Sequence, residues 1–593
     1  MERRDEPQGR VLTTRSACQV VPDISTFSVD DGFSYLIPDD LTVRIGSRVR
    51  VRVSGRRVKG FVTALFEADP RRKLLPVEGL SGDIASFDPL MLESLRWAST
   101  HYVTPLSVIL KRTIPPNVPK RAAASTDENV VDEPDPDEGD RSVYRIGSPP
   151  YDEAIASTIR PFAGTHRTVV VIAPSVMEIN GIAEALKDEY GERVIKATSS
   201  MSGAEVTRAW SRIATGAGLI LVGTREIVFW PFGNVGLVVV VEDGRRVMRS
   251  PGTPTLSVRE VILRRANIES FHVEFHGPVP TLEAIVHGTR VESKPGRQWP
   301  VVEVVDRSEE PPGGGLLTER AKAAIRRTTA DGERSFVLVG SRGYAPAFRC
   351  VACGDIRRCP TCESAASRDD TCRRCGTSLG VCTNCDGARF QPLGAGVGRI
   401  VDDIGRLVGD DVGRVDDGRL VTVGSERDLI GIGDVGLAVA VDVDGLTMAP
   451  HYRAAEDALR LLVRLAQTVR RGAGHRCLVQ TSAVNQDVVK TLANGRSAAF
   501  LESELMSRGK FGFPPIGSLI AIETEGIHDA GTLLVEGLSG TATVLGPAPA
   551  RDRLRWLIQG RDLEQARLAL RPILTTLRGR GAKVRVDVDP IDL

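Results

Sequence analysis

Four pairs of cysteines, each pair with two residues between its members, stand close together and constrain how this part of the chain can fold. The pairs are Cys350 and Cys353, Cys359 and Cys362, Cys372 and Cys375, and Cys382 and Cys385. Two thiolates at this spacing can share one metal ion at tetrahedral angles, so four pairs supply ligands for two all-cysteine zinc sites. Bound zinc would replace the hydrophobic core that so short and polar a segment cannot build.

Four disulfides or an iron–sulfur cluster are the alternatives to zinc. Disulfides conflict with the polar first residues, Met1–Arg10, which predict no secretory signal, and the spacing matches no ferredoxin-type run. Four protein ligands at each ion leave no open position, so the zinc is predicted to be structural and not catalytic. Cys18 and Cys477 stand alone and are predicted to be small buried apolar residues.

The composition sets the class of protein. A chain of 593 residues suggests roughly four domains, and hydrophobic residues at 41% with charged residues at 26% are typical of a soluble globular protein. The 77 Lys and Arg residues balance the 76 Asp and Glu residues, which excludes nucleic-acid binding through overall charge but leaves local basic surfaces open. No window approaches the ~18 consecutive apolar residues of a membrane span, so no membrane association is expected.

The N-terminal part of the sequence predicts a small β-rich domain. Residues 1–17 are predicted to be a flexible tail, and the domain is expected over 18–119. Val49, Val51 and Val53 alternate with arginines, which indicates a half-exposed strand of a hairpin. Acidic residues then crowd residues 120–141, and this stretch is predicted to be a solvated linker.

Past the linker, continuous β-branched runs alternate with helical stretches, which is typical of parallel sheets covered on both faces. One such lobe is predicted over 142–300, and a second over 301–349 and 386–500 with the cysteine segment 350–385 inserted in it. Residues 501–593 mix strands and helices as an α+β domain. The predicted fold is therefore multidomain α/β, with two parallel α/β lobes between a β-rich and an α+β domain.

The sequence contains no P-loop. That motif needs Gly-Lys followed by Ser or Thr, because its backbone holds phosphate while the hydroxyl holds magnesium. The only Lys followed by Ser or Thr is Lys490, which follows Val489 in a helical stretch. The only Gly-Lys pair is Gly509-Lys510, and Phe511 follows it.

Motifs along the chain resemble the family of the bacterial primosomal protein N′, the PriA replication restart proteins, from about Cys18 to the end. The motifs are Arg342–Pro346, Phe33–Pro38, Gly46–Val51, Gly223–Arg225, Pro231–Phe232, Asp442–Gly445, Phe513–Pro515, Leu545–Pro547 and Asp587–Pro590. The resemblance implies an N-terminal domain that binds DNA 3′ ends, two RecA-like helicase lobes and a C-terminal DNA-binding domain. It also implies nested zinc ligation, with Cys350, Cys353, Cys382 and Cys385 on one ion and Cys359, Cys362, Cys372 and Cys375 on the other.

The chain departs from the family at four parts of the ATPase. Gly147–Asp152 stands where the family has its P-loop, Glu242–Arg245 replaces an Asp-Glu-Glu-His box, Gly277–Val279 replaces Ser-Ala-Thr, and Gln467–Arg471 replaces the arginine-finger motif. Accordingly, ATP is not expected as a cofactor. Without magnesium, the carboxylates of Glu242 and Asp243 are expected to cap a strand in solvent.

Five residues are candidates for DNA contact. Phe33 and Tyr35 suit stacking on a terminal base, or alternatively packing inside the sheet. Arg225 ends a predicted strand, where α/β folds place ligand contacts, although a surface ion pair explains it equally. Arg553 and Trp556 combine a cation with a stackable ring, which suits single-stranded DNA or an edge strand with exposed arginine heads.

A row of arginines on one predicted helix allows two interpretations. Arg453, Arg460, Arg464 and Arg471 follow one another at helical separations. Such a row can bind phosphates, but a solvated helix face is the commoner explanation and is the one predicted here.

By resemblance, the expected function is replication restart: recognition of stalled or abandoned forks and reloading of the replicative helicase, without helicase activity of its own. The implied partners are forked DNA, single-stranded DNA and DNA 3′ ends, the single-stranded DNA-binding protein, and a helicase loader or other primosome components, in the cytoplasm at the nucleoid. The alternatives are an active ATP-dependent 3′–5′ helicase with diverged motifs, or a zinc-ribbon scaffold without DNA affinity.

Overall fold

The structure is a computed structural model of the whole chain. It describes residues 16–69, 71–117, 141–293, 299–310, 315–340, 347–353, 355–361, 371–372, 376–393, 397–527, 529–550 and 553–592. The predicted linker up to residue 140 and the motif Arg342–Pro346 lie outside these ranges. The first strand begins at Ser16, so the predicted tail, which ran to residue 17, was two residues too long.

The N-terminal unit is a five-stranded antiparallel sheet with two helices. Its elements are β1 Ser16–Pro22, β2 Phe33–Leu36, β3 Arg48–Val53, β4 Arg56–Glu67, β5 Gly79–Leu80, α1 Pro89–His101 and α2 Leu106–Leu110, with strand order β2-β1-β4-β3-β5. The predicted alternation is confirmed, because Val49 and Val51 are buried while Arg50 and Arg52 are exposed. Ser54 and Gly55 form the hairpin turn, both with positive φ (48° and 79°), as a two-residue turn between twisted strands requires.

The first α/β lobe is a seven-stranded sheet of order β12-β6-β11-β10-β7-β9-β8, and all its strands are parallel. Its elements are β6 Ser142–Ile146, α3 Asp152–Ala163, β7 Thr168–Ile172, α4 Val176–Tyr190, β8 Val194–Ala197, α5 Gly203–Thr215, β9 Ile220–Gly223, β10 Val235–Val241, α6 Val258–Glu269, β11 His272–Gly277, α7 Leu282–Val286 and β12 Arg290–Ser293. Every residue of β7 and β9 is buried, which explains why neither strand alternates apolar with charged residues.

The second lobe is a six-stranded parallel sheet of order β13-β20-β19-β14-β18-β17. Its elements are β13 Val302–Asp306, α8 Glu319–Ala330, β14 Ser335–Leu338, β15 Ala347–Cys350, β16 Phe390–Leu393, α9 Val397–Val408, β17 Val412–Gly413, β18 Val421–Gly424, β19 Leu437–Ala440, α10 Val443–Thr447, α11 Ala454–Gln467, β20 Arg476–Thr481 and α12 Asp487–Asn494. The cysteine segment enters and leaves through the antiparallel pair β15–β16, between β14 and α9. Both lobes confirm the predicted fold class.

The C-terminal unit is a four-stranded antiparallel sheet of order β22-β23-β21-β24. Its elements are α13 Ala498–Phe511, β21 Ser518–Glu525, α14 Ala530–Gly537, β22 Thr543–Ala550, β23 Arg553–Gly560, α15 Glu564–Gly579 and β24 Lys583–Val588. Apolar residues of α14 and α15 share one core with the inward residues of the sheet. None of the helices in the described ranges has the length and apolar character that crossing a bilayer requires.

Hydrogen bonds join the units to one another. Thr253 of the first lobe donates to the carbonyl of Val586 in β24 at 3.0 Å. Arg571 of α15 donates to Ser99 of α1 at 3.0 Å. These contacts place the N-terminal unit and the first lobe against the C-terminal unit.

Candidate functional site

Four cysteines from the two ends of the cysteine segment converge on one point. The Sγ atoms of Cys350, Cys353, Cys382 and Cys385 all lie within 4.8 Å of one another. Cys350 and Cys385 are separated by 3.5 Å between Sγ atoms, and Cys353 and Cys382 by 3.7 Å. Thiolates bound to one tetrahedral zinc at about 2.3 Å lie about 3.8 Å apart, whereas disulfide sulfurs lie about 2.05 Å apart. The four thiols are therefore placed to hold a metal ion.

Gly387 lies against this cluster, two residues after the last cysteine pair. A Cβ atom there would lie 2.9 Å from the Cys350 sulfur and 3.3 Å from the Cys385 sulfur. A residue with a side chain would therefore displace a ligand. The close approach of backbone to sulfur explains why a glycine follows the last cysteine pair.

The second predicted set of ligands is described only in part. Cys359 and Cys372 are buried and pack against Leu379. Cys362 and Cys375 lie outside the described residues. The second zinc site thus stays a prediction from the sequence and the family resemblance.

We expect two zinc ions per purified chain by metal analysis. Cys382→Ser should lower this number to one, because three thiolates and a hydroxyl hold zinc far more weakly than four thiolates. Cys477→Ser is the matched control: Cys477 is buried in β20, away from the cysteine segment, and its loss should leave both ions bound. Purified protein that contains iron, or no metal, would contradict the prediction.

A second candidate site lies between the two lobes, at the carboxyl ends of parallel strands, where α/β folds bind ligands. The turn after β6 begins at Gly147 and the turn after β10 begins at Glu242. Helix α11 of the second lobe crosses this edge, and Gln467 at its end donates to the carbonyl of Gly147 at 3.3 Å. Segments that depart from the family's ATPase thus meet at one interface.

Glu242 and Asp243 are buried, so the expectation that they cap a strand in solvent was wrong. Tyr151 donates to Glu242 at 3.0 Å, and the guanidinium of Arg464 lies 3.1 Å from the same carboxylate. Burial raises the pKa of Glu242 above its usual value, and the guanidinium of Arg464 opposes that rise. Asp243 accepts from Arg259 at 2.8 Å.

The arginine row on α11 is buried for most of its length. Arg453, Arg460 and Arg464 each pair with a carboxylate: Arg453 with Glu283, Arg460 with Glu456 at 2.7 Å, and Arg464 with Glu242. Neither the predicted solvated face nor phosphate binding fits these three residues. The reason is that this polar face packs against the first lobe, which supplies Glu283 and Glu242, while Glu456 comes from α11 itself. Arg471, past the end of the helix, is exposed.

Gly244 and Arg245 occupy two further positions of the acidic box. A Cβ atom on Gly244 would lie too close to the guanidinium of Arg460, which would have to shift. Arg245 pairs with Glu178 at 2.8 Å; its burial lowers its pKa, but the Glu178 and Glu242 carboxylates raise it more. The interface keeps a cavity of about 120 Å³, and its lining includes Glu242, Arg245, Arg460 and Arg464.

Two aromatic candidates for DNA contact lie in the core. Tyr35 is 3% exposed and its hydroxyl donates to the carbonyl of Arg52 at 2.8 Å. Trp556 is 2% exposed and packs among the apolar residues of the C-terminal unit. Burial leaves neither ring a face for a base, which corrects their prediction as stacking residues. Phe33, at the start of β2, is 41% exposed and remains open to contact.

The two arginine candidates already have partners within the fold. Arg225 donates to the carbonyl of Val247 at 2.7 Å and pairs with Glu226 at 3.1 Å. Arg553 lies 3.5 Å from both Glu523 and Glu525 on the neighbouring strand. DNA contact by either arginine would require it to exchange an existing partner for a phosphate.

Comparison with known protein families identifies a domain at each end of the chain. Residues 19–115 match the family profile of the PriA 3′DNA-binding domain, and residues 509–591 match that of the primosomal protein N C-terminal domain. Replication restart protein PriA of Synechocystis is 23% identical over 72% of this chain and 60% of its own length. PriA of Bacillus subtilis is 21% identical over 74% of this chain and 62% of its own length.

A mycobacterial relative aligns over nearly the whole molecule. The PriA protein of Mycobacterium tuberculosis is 27% identical over 604 aligned residues, which cover 90% of this chain and 89% of that protein. The alignment therefore spans the lobes and the cysteine segment as well as both terminal domains. Over most of its length this chain is therefore similar to replication restart proteins of the PriA family, and both of its ends match PriA domain profiles.

Proposed function

We propose that this protein acts in replication restart by binding stalled or abandoned forks and promoting reloading of the replicative helicase, without unwinding DNA itself. One observation carries the second half of the proposal: the interface where the family's ATPase parts would lie is filled by buried pairs between arginines and carboxylates. The first half is supported by the 3′DNA-binding domain over residues 19–115. The proposal includes two structural zinc ions as cofactors. Its protein partners are the single-stranded DNA-binding protein and a helicase loader.

The groups that phosphoryl transfer requires have other uses in this interface. Pro149 and Pro150 have no backbone N–H to donate to a phosphate. The carbonyl of Gly147 accepts from Gln467 of the other lobe. The two carboxylates that could hold magnesium are bound to arginines, and a cation beside a metal site opposes metal binding. The lobes would then serve as a fixed platform between the DNA-binding domains.

The end-binding part of the proposal predicts a preference for an extendable 3′ end. A fork whose nascent strand ends in a 3′-hydroxyl should bind the full-length protein more tightly than the same fork blocked by a 3′-phosphate, as measured by fluorescence anisotropy. Phe33→Ala should weaken binding to the 3′-hydroxyl fork about tenfold, because one stacked base contributes ~1–3 kcal/mol.

Phe66 provides the control for this experiment. It is 40% exposed and lies in β4 of the same sheet, so Phe66→Ala removes an equally exposed ring at another place. It should leave the affinity unchanged. Equal affinity of the wild type for the two forks would contradict end recognition, and no affinity for either would favour a scaffold without DNA binding.

A further inference from the structure

The hairpin β3–β4 carries positive charge that the fold does not use. Arg50 and Arg52 of β3 are exposed, and β4 places exposed Lys59 opposite Arg50 and exposed Arg57 opposite Arg52. We call these four residues the basic hairpin face. Like charges directly opposite each other on an antiparallel pair destabilise the sheet. For Arg50 and Lys59, folding alone therefore gives no reason for this arrangement.

The charge is only partly compensated inside the protein. Glu78 pairs with both Arg52, at 2.7 Å, and Arg57. Within the described part of the chain, Arg50 and Lys59 form no ion pair. The four cations thus have a single carboxylate beside them, which pairs with two of them, whereas the chain as a whole has a net charge of only +1. The excess is local to this face.

The hairpin also extends past its neighbours in the sheet. Strand β1 pairs with β4 only from Glu67 to Gly60, and β5 pairs with β3 only at Val49 and Arg50. Beyond these positions β3 and β4 continue to the turn at Ser54 as a two-stranded ribbon, whose inner face packs on Tyr35 and neighbouring apolar residues. The outer face of the ribbon, with its four cations, is open to solvent.

We propose that the basic hairpin face binds the phosphodiester backbone of duplex DNA, as a contact separate from recognition of the 3′ end. Along β3, Arg50 and Arg52 lie about 6.6 Å apart at 3.3 Å per residue, which gives a fixed row of charges suited to a repeating anion. Arginine binds phosphate oxygens through two parallel N–H donors. The proposal rests on the proposed function in one respect, namely that DNA is the partner.

An acidic protein segment is the other polyanion that this face could meet. Protein interfaces are centred on buried apolar or aromatic anchors. Between Arg50 and Arg57 the four outward positions are all cationic, and Val51 points into the core. The exposed apolar residues of β4, Leu65 and Phe66, lie at the other end of that strand, opposite β1. The face offers no such anchor, which favours nucleic acid over a protein partner.

The test uses the full-length protein and a duplex closed by a loop at each end, which has no strand end to recognise. The wild type should bind it with an affinity that falls steeply as salt rises. Each lost phosphate contact lowers the slope of log affinity against log salt by about 0.9, so Arg50→Gln with Lys59→Gln should lower it by about two. Affinity at low salt should fall about tenfold or more.

Arg56→Gln is the matched control for Arg50→Gln, since each removes one exposed charge of the same hairpin. Arg56 lies opposite Val53, so its side chain leaves the other face of the ribbon. It should change neither slope nor affinity, while Arg50→Gln lowers the slope by about one. The Arg50 and Lys59 variants should melt no lower than the wild type, because they relieve repulsion.

The experiment separates this proposal from end recognition. If the contact exists, the double variant loses affinity for the closed duplex but keeps the wild-type ratio of affinities for 3′-hydroxyl and 3′-phosphate forks. An unchanged salt slope in the double variant, or an equal loss in Arg56→Gln, would overturn the hairpin proposal whatever that ratio is. The wild type could instead bind the 3′-hydroxyl and 3′-phosphate forks equally while still binding the closed duplex through Arg50 and Lys59. In that case only the 3′-end proposal fails.

Discussion

Purified protein with saturating forked DNA should release no phosphate from ATP above the uncatalysed background. The expected deficit is large because several parts are missing together, and the loss of a transition-state arginine alone costs about 10³–10⁵ in rate. Saturating ATP with magnesium should also leave the melting temperature unchanged, since a ligand that binds the folded state would raise it. Phosphate release and thermal melting, each measured with and without DNA, check both statements.

The control must preserve the interface. Alanine at both Glu242 and Asp243 would leave Arg464 and Arg259 buried without partners, so loss of activity would be indistinguishable from unfolding. Glu242→Gln keeps the size of the side chain and its acceptor for Tyr151. Wild-type turnover that disappears in Glu242→Gln, with melting unchanged, would show an active site built on this carboxylate and would contradict the proposal.

The second large effect concerns the stability of the joined lobes. Glu456 of α11 is 0% exposed, and its carboxylate lies 2.7 Å from Arg460 and 2.5 Å from Arg508 of α13. It also accepts from the backbone N–H of Leu282 in the first lobe at 3.3 Å. Glu456→Ala should destabilise this part of the protein by about 3–5 kcal/mol, because two buried guanidinium groups lose their shared partner.

The measurement is the urea midpoint of full-length protein, together with hydrogen exchange of α11. Glu504→Ala is the matched control: its carboxylate lies 3.0 Å from the same Arg508, but its side chain is 16% exposed. Its loss should cost about 0–1 kcal/mol. Equal small effects of the two variants would mean that the buried network does not hold the lobes together.

The elements with strong periodicity were predictable from the sequence. Continuous β-branched runs gave the strands of both lobes, because a strand buried on both faces needs apolar residues at every position. The alternation of valines with arginines predicted strand β3 in the same way. Alternation also contained an unused signal at the start of β23, where Leu554 and Trp556 alternate with Arg553 and Arg555 and therefore point inward together.

The network between the lobes was not predictable from one sequence. Charged residues on a helix normally face solvent, so the arginines of α11 were interpreted in that way. Glu242 and Glu283, the partners of Arg464 and Arg453, lie in the other lobe, far away along the chain. Local spacing records only which face of a helix is polar, and not what packs against that face. For the same reason, no pattern in the sequence indicated that Arg259 and Glu456 are buried.

The position of Gly244 beside Arg460 determines which residues this turn can accept. A Cβ atom at position 244 would meet the guanidinium of Arg460, whose other nitrogen pairs with buried Glu456. Any residue larger than glycine would therefore require Arg460 to shift within a cluster of buried charges. The packing between the lobes thus selects for the smallest residue at a turn whose own backbone conformation does not require it.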